Sequence, residues 1–233
     1  TLLPIAGLSS LASLAGSRAK LVETGKAGQS GLLTAGAKLA QGDFARAQSL
    51  FSSSAQSFTT TLETINDAQT RTFHLGSLLP GTRDQIRTVK ALATIGNNMA
   101  KVGEMITRSF ELQADAGLLA RVETMSQAAL AASPLLREAS READRIDLEV
   151  IPESERASVA LLTDAVGEIE RSVRALPAIA NAASELLGKS SRKRYLVLFQ
   201  NDAELRPTGG FIGSFAEITL DRGEIKDIQI PAG

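Results

Sequence analysis

A polar, glycine-containing loop between two apolar runs holds the residues best suited to chemistry. It spans residues 200–210 and reads Gln-Asn-Asp-Ala-Glu-Leu-Arg-Pro-Thr-Gly-Gly. Its carboxylates are ligands for a hard divalent cation such as magnesium, and its guanidinium fits a phosphate or a carboxylate. The paired glycines let backbone N–H groups approach a ligand closely. We therefore predict a ligand site formed by Asn201, Asp202, Glu204, Arg206, Thr208, Gly209 and Gly210, with Asp202 and Glu204 as the metal ligands.

The same loop also has a purely structural interpretation. Asn and Asp side chains cap turns, Arg206 can pair with Glu204 or Asp202, and the glycines supply positive φ angles. The residues alone do not decide between a ligand site and a capped turn. No catalytic residue is assigned from the sequence.

Composition narrows the chemistry that the chain can perform. The 233 residues are 43% hydrophobic and 22% charged, which is typical of a globular protein. A net charge of -1 gives no overall positive field, so nucleic acid is not an expected partner. The absence of cysteine excludes disulfides and thiolate sites. The single histidine, His74, excludes a zinc site built from several histidines within the chain, and we do not expect a Ser-His-Asp triad.

The first residues have two interpretations. Residues 1–16 carry no charged side chain and are mildly apolar, yet they are fewer than the ~20 residues of a membrane-spanning helix. We interpret this segment either as the outer end of a membrane anchor or as the end of a soluble helix. In the first case the upstream segment would bind the membrane.

An apolar stripe predicts a long helix after Gly42 and Asp43, a glycine helix end followed by a new N-cap. The stripe recurs every seven residues and continues to about Leu75. A helix of this length needs an antiparallel partner to cover its apolar side. Its members are Phe44, Phe51, Phe58 and Ile65, with Ala47, Ala55 and Leu62 between them.

Prolines and glycines divide the remaining helical sequence. A second helix is predicted to open at Thr82, after Pro80. A third is bent or broken near Pro134, a fourth begins after Pro152, and Pro177 opens a short last helix that ends at Gly188.

Three spaced glycines precede these helices. Gly25, Gly28 and Gly31 lack the strand and the Gly-Lys-Ser/Thr of a phosphate loop, so we expect them to weaken or interrupt a helix. Residues 17–189 are predicted to form the helical bundle region.

The pattern changes to strands after Ser190. Tyr195–Phe199 is a continuous apolar run, expected for a strand that is buried on both faces. Phe211–Leu220 and Ile225–Ile230 flank the turn at 221–223 and predict a hairpin. The predicted fold is mainly α: a long antiparallel helical bundle followed, at residues 190–233, by the start of an α/β domain with three strands, truncated.

The residues from Tyr195 to Gly223 resemble a bacterial family catalogued as domain of unknown function 4012. Its members look like YLVLFQN-x-AELRPTGGFIGSF, followed by a strand and a Gly turn. The segments GDFARAQSLFSSSAQSF and LLPGTRDQIRTVKAL also stand in the expected order. The resemblance implies a membrane-anchored, exocytoplasmic protein of the cell envelope, with a helical region before an α/β domain and no established activity.

A more distant similarity is to the LytR-CpsA-Psr envelope enzymes, which transfer glycopolymers from polyprenyl-pyrophosphate carriers. It implies a cation-associated acid at Asp202 and a phosphate-binding arginine at Arg206. The Arg-Asp pair that follows Ile-Pro in those enzymes is replaced here by Ala232-Gly233, which argues against the same transfer chemistry.

The leading hypothesis is an envelope protein that binds a phosphorylated or polyprenyl-linked glycan through loop 200–210, with glycopolymer transfer or phosphotransfer as the implied enzyme class. The basic residues 192–194 could face lipid headgroups. The alternative is a non-catalytic helical scaffold or adhesion module. A soluble cytoplasmic bundle is the third hypothesis.

Overall fold

A computed structural model describes residues 15–73, 80–111, 116–201, 203–204 and 209–231. Within these ranges the chain forms five long helices and one three-stranded sheet. The helices are α1 (Ala15–Ala40), α2 (Phe44–Phe73), α3 (Pro80–Glu111), α4 (Leu118–Ala143) and α5 (Glu153–Leu186), with a short 3-10 helix at Leu148–Val150. The strands are β1 (Lys193–Asn201), β2 (Phe211–Asp221) and β3 (Glu224–Gln229). The predicted mainly helical fold with three terminal strands is confirmed.

The described residues group into two compact units. The helical unit comprises the described parts of Thr1–Leu112 together with Ala128–Ala175. The sheet unit comprises the described parts of Gln113–Gln127 and of Leu176–Gly233. The boundary between the units therefore falls within α4 and within α5. None of the helices in the described ranges combines the length and the hydropathy that crossing a bilayer requires.

The centre of the helical unit is the apolar stripe of α2, which lies against α1 and α3. Phe51, Phe58 and Ile65 are all buried, and Phe58 is only 2% exposed. Leu21 packs with Ile65 at one end of α1 and Ala35 packs with Phe51 towards the other, so α1 and α2 are antiparallel. The predicted stripe and its antiparallel partner are confirmed.

Glycines let the three helices approach one another closely. Gly28 of α1 lies against one side of the Phe58 ring, where an added Cβ would be 3.0 Å from the ring carbons. Gly96 of α3 lies against the same ring, with an added Cβ only 2.4 Å from Cζ. The hydroxyl of Ser54 donates a hydrogen bond to the Gly28 carbonyl. The expectation that Gly25, Gly28 and Gly31 interrupt a helix is wrong, because α1 is continuous. The absent side chains of Gly28 and Gly31 make room for α2.

Gly96→Ala is expected to destabilise the helical unit by about 1–3 kcal/mol from overpacking, offset in part by about 1 kcal/mol of better helix propensity. The matched control is Gly36→Ala, because Gly36 of α1 is exposed and has no atom within 4 Å of an added Cβ. Gly36→Ala adds no close contact and gains only the higher helix propensity of alanine. It is expected to raise the free energy of unfolding by up to about 1 kcal/mol. Urea denaturation of both variants measures the difference. If Gly96→Ala and Gly36→Ala changed the free energy of unfolding by the same amount in the same direction, the contact of Gly96 with Phe58 would be contradicted.

Halves of α4 and α5 complete the core of the helical unit. Ile95 of α3 packs with Ala139 of α4 and Val166 of α5. Asn98, which is buried on α3, donates hydrogen bonds to the Leu135 carbonyl and to the Glu138 carboxylate. Since a buried amide must keep its partners, these bonds fix the register of α3 against α4.

Helix boundaries confirm some predictions and correct others. Gly42 has a φ of 76°, and the carboxylate of Asp43 accepts a hydrogen bond from the Arg46 N–H, so α2 starts where the glycine and N-cap predicted. Helix α3 begins at Pro80 rather than at Thr82, with proline in the first turn, where its missing N–H costs nothing. His74 lies outside the described residues.

The prolines in the later helices do not end them. Helix α4 continues through Pro134, so the third run is one helix. Helix α5 also continues through Pro177, and the prediction of a separate short helix opening there is wrong. A proline removes one intrahelical hydrogen bond, whereas the flanking turns of these long helices keep theirs.

The sheet is antiparallel with the strand order β1-β2-β3. A two-residue turn joins β2 to β3, with φ angles of 52° at Arg222 and 79° at Gly223. Two positive φ angles are the signature of a type I′ hairpin, whose twist matches that of the strands. The three predicted strands and the hairpin are confirmed, and β1 extends two residues further at each end than predicted.

Burial of β1 differs from the expectation. On one face Leu196 is 59% exposed and Leu198 is 50% exposed. On the other face Tyr195 and Val197 are half-buried, whereas Phe199 is 51% exposed. The hydroxyl of Tyr195 donates to the Leu186 carbonyl at the end of α5. The prediction of a strand buried on both faces is therefore wrong for the described residues, because they cover only part of one face.

The end of α5 is joined to the β2–β3 turn by backbone hydrogen bonds. The Leu187 carbonyl accepts from the Gly223 N–H at 2.8 Å, and the Gly188 carbonyl accepts from the Arg222 N–H at 3.0 Å. Gly188 has a φ of 81°, in the left-handed region that follows many helix ends. The turn also touches α4, since an added Cβ at Gly223 would lie 2.8 Å from the Cβ of Leu119. The end of α5 and the first turn of α4 thus hold the β2–β3 hairpin in place within the sheet unit.

Candidate functional site

The predicted loop connects β1 to β2 at one end of the sheet. Asn201, the last residue of β1, pairs with Phe211, the first residue of β2. The register shifts beside this pair, because Phe199 faces Ser214 whereas Gln200 faces Ile212. Gly213 is thus an additional residue on β2, which forms a β-bulge next to the loop. Bulges of this kind are common next to functional sites because they redirect neighbouring side chains.

Asn201 orders the start of the loop. Its side-chain oxygen accepts a hydrogen bond from the Ala203 N–H at 3.1 Å, which forms an Asx turn. One of its lone pairs is therefore used by the chain itself. For this residue the capping interpretation of the loop holds, and the oxygen keeps one lone pair for a ligand.

Gly209 and Gly210 return the chain to β2 in a conformation suited to glycine. Their φ angles are 98° and 154°, and Gly210 is buried. An added Cβ at Gly210 would lie 2.7 Å from Nε2 of Gln200 and 2.8 Å from the Asn201 carbonyl oxygen. The backbone of Gly210 therefore lies directly against the end of β1. The two glycines and Asn201 form one compact corner of the sheet.

Three of the predicted site residues lie outside the described residues: Asp202, Arg206 and Thr208. Glu204 is described and is exposed to solvent. In the described part of the chain, no group of three or more Asp, Glu, His or Cys side chains is close enough to hold a metal ion. The magnesium site of Asp202 and Glu204 therefore stays a prediction that depends on a residue outside this part.

Part of the basic cluster before β1 is neutralised by β2. The guanidinium of Arg192 lies 3.7 Å from the Asp221 carboxylate. Lys193 and Arg194 instead border a cleft of about 530 Å³ beside the last turn of α5, with Glu185 and Tyr195 on its other sides. The lipid-headgroup role of residues 192–194 stays a prediction.

A second cleft, which the sequence did not indicate, lies between the first turns of α4 and the last turns of α5. It encloses about 520 Å³ and is lined mainly by hydroxyl, amide and charged side chains. The ammonium of Lys189 is 2.7 Å from the Glu123 carboxylate, and this ion pair raises the pKa of Lys189. No sequence pattern connects these two residues, because only the packing of α4 against α5 brings them together. The other polar residues of the cleft are Thr124, Ser126, Gln127, Asn181 and Ser184.

Comparison with protein families finds one match in this part of the chain. Residues 191–231 match the family described as Protein of unknown function (DUF4012). This match covers all three strands and the loop between β1 and β2, and it supports the predicted resemblance to this family over these residues. No curated protein and no solved structure matches the chain. The similarity to LytR-CpsA-Psr enzymes stays a prediction.

Proposed function

We propose that this chain, whose residues 191–231 match DUF4012, is an exocytoplasmic, membrane-anchored protein of the bacterial cell envelope that binds a phosphorylated or polyprenyl-linked glycan through loop 200–210. The proposal concerns binding, and it assigns no catalytic residue. The segment before the first described helix would provide the anchor. The compartment is supported by the family resemblance of the loop and strands.

The observation that carries the proposal is the backbone at the end of the loop. Gly209 and Gly210 have positive φ angles, and Gly210 is buried against the end of β1. Backbone N–H groups in such turns form concave anion sites because no side chain shields them. Arg206 precedes the two glycines closely in sequence, and Gly209 is exposed. One short loop therefore supplies both a guanidinium and a backbone amide that no side chain covers.

The acidic residues of the loop can contact the same phosphate ligand only through a bound cation. The carboxylates of Asp202 and Glu204 would repel a phosphate that binds beside them. A divalent cation held by their carboxylates would contact the phosphate oxygens and remove this repulsion. Binding is therefore expected to depend on magnesium.

Arg206→Ala is expected to weaken binding of a polyprenyl phosphate in phosphatidylcholine vesicles by about 10- to 100-fold, since a charged hydrogen bond contributes about 1.5–3 kcal/mol. The matched control is Arg222→Ala, which removes an exposed arginine from the β2–β3 turn. Vesicle co-sedimentation with and without magnesium measures both. A soluble sugar 1-phosphate, used as a competitor, separates recognition of the phosphate from recognition of the lipid.

Two outcomes would contradict this function. Unchanged binding by the Arg206→Ala protein would show that the loop does not hold the phosphate. An equal loss in the Arg222→Ala protein would show that any positive charge on the sheet unit suffices.

A helical scaffold or adhesion module is the second candidate. It is favoured by large apolar side chains that stand exposed on separate helices of the helical unit, such as Leu33, Leu130 and Leu161. Such side chains suit contacts with partner helices. Association that is unaffected by phosphate ligands and is lost on Leu161→Lys would favour this function.

A further inference from the structure

The cleft between the first turns of α4 and the last turns of α5 holds polar side chains that the protein itself does not use. On the same two helices, the hydroxyls of Ser133 and Thr163 donate to carbonyl groups of their own helix, as hydroxyls in helices commonly do. Five hydroxyl or amide side chains of the cleft form no hydrogen bond with another described residue: Thr124, Ser126, Gln127, Asn181 and Ser184. Their donors and acceptors are therefore available to a ligand.

Ser184 is the most buried of these five residues. It is only 2% exposed, and its side chain lines the cleft. Polar groups at this depth nearly always have a hydrogen-bond partner, because burial removes them from bulk water. A molecule bound in the cleft would supply the partner that the described part of the chain does not.

The walls of the cleft are fixed by backbone contacts. The Lys189 N–H donates to the Ser184 carbonyl at 3.0 Å, which holds the chain after α5 against its last turn. The Gly188 carbonyl accepts from the β2–β3 turn, and Gly223 of that turn lies against Leu119 of α4. Both walls therefore rest on the same turn. A site held in this way is ready before the ligand arrives, which lowers the cost of binding.

The charges of the cleft favour a neutral ligand. The ammonium of Lys189 and the carboxylate of Glu123 are 2.7 Å apart, so they neutralise each other. A charged ligand would have to compete with this ion pair, whereas a neutral one would not. An ammonium has three N–H donors and a carboxylate has several lone pairs, so the pair still offers hydrogen bonds to a third group.

The lining is complementary to a molecule covered with hydroxyl groups, each of which both donates and accepts. The volume of about 520 Å³ lies within the range of small-molecule sites, roughly 300–1,000 Å³. The apolar side chains among the lining residues are those of Ala120 and Ala180. They form no pocket for a large apolar side chain, on which peptide-binding grooves depend for specificity. These features favour a carbohydrate over a peptide.

We propose that the cleft between α4 and α5 binds a neutral carbohydrate, with Ser184 and the Glu123–Lys189 pair as its central contacts. This site is separate from loop 200–210, because Lys189 precedes β1 and the loop follows it. A nine-residue strand is about 30 Å long. The proposal therefore does not rest on the phosphate site of the loop, and binding here is expected to need neither Arg206 nor magnesium.

The first test is titration of the full chain with maltose, cellobiose and diacetylchitobiose, followed by saturation-transfer NMR. Millimolar binding of at least one disaccharide is expected, since none of the described lining residues adds an aromatic ring for stacking. Ser184→Ala is expected to weaken it by about 3- to 10-fold, the effect of one neutral hydrogen bond. The midpoint of urea denaturation should not fall, because the hydroxyl has no partner among the described residues. The matched control is Ser172→Ala, an exposed serine of α5 outside the cleft.

The second test blocks the cleft and separates it from the loop. Ala180→Phe would place a ring in the cleft and is expected to reduce disaccharide binding below detection, whereas Arg206→Ala and removal of magnesium should leave it unchanged. The proposal would be overturned if none of the three disaccharides bound, or if binding survived Ala180→Phe. It would also be overturned if Arg206→Ala abolished binding, which would place the sugar at the loop, or if Ser172→Ala weakened binding as much as Ser184→Ala.

Discussion

Phe58→Ala is expected to destabilise the helical unit by about 3–5 kcal/mol, the range for removal of a buried aromatic side chain. The ring is 2% exposed and lies between Gly28 of α1 and Gly96 of α3. Neither glycine has a side chain that could move into the vacated space. The cavity would therefore persist, and the full cost of lost contacts should appear. Urea denaturation followed by circular dichroism measures it.

Phe44→Ala is the matched control for this prediction. Phe44 lies at the start of the same helix, is half-buried, and stacks on Phe110 with ring centroids 4.8 Å apart. Its removal is expected to cost about 1–2 kcal/mol, since the partly exposed site creates no closed cavity. A loss at Phe58 no larger than the loss at Phe44 would contradict the packing of α2 between two glycines.

Gly188→Ala is expected to destabilise the sheet unit by about 2–5 kcal/mol. A left-handed backbone costs an alanine about 1–2 kcal/mol, and overpacking adds about 1–3 kcal/mol. The added Cβ would lie 2.9 Å from the Leu220 carbonyl oxygen, and the backbone cannot move away because the Gly188 carbonyl accepts from the Arg222 N–H. Hydrogen exchange of the β2 and β3 amides measures the loss directly.

Gly42→Ala separates the cost of the left-handed backbone from the cost of overpacking. Gly42 has a similar φ of 76°, but no atom lies within 4 Å of an added Cβ. Only the backbone cost of about 1–2 kcal/mol is therefore expected at this position. If the two alanine variants lose the same free energy of unfolding, the contact with β2 contributes nothing.

The sequence predicted those parts of the fold that depend on local patterns. The spacing of Phe44, Phe51 and Phe58 sets one side of α2, and Asp43 marks its start, because periodicity and capping are properties of neighbouring residues. The role of Gly28 in α1 is not visible in the local sequence, because it depends on the Phe58 ring of another helix. Pro177 was misinterpreted because the sequence does not show whether the flanking turns are stable enough to continue.

Less of the candidate site than of the fold was predictable from the sequence. Gly209 and Gly210 were expected to adopt positive φ angles, and both do. Asn201 caps the turn as the structural interpretation expected, because its side-chain oxygen accepts from the Ala203 N–H, and its role as a ligand stays a prediction. No sequence pattern indicates the cleft of Glu123 and Lys189, because it forms where segments that are distant in sequence pack together.

The contact of one phenylalanine ring with two helices also has a consequence for how the helical unit assembles. Gly28 and Gly96 are both near Phe58 in sequence compared with the length of the chain. Contacts between such neighbouring segments close small loops and favour fast folding. Until both helices are in place, the ring remains exposed to water on one side. Helices α1, α2 and α3 are therefore expected to fold as one cooperative unit, in which α1 and α3 both pack on α2.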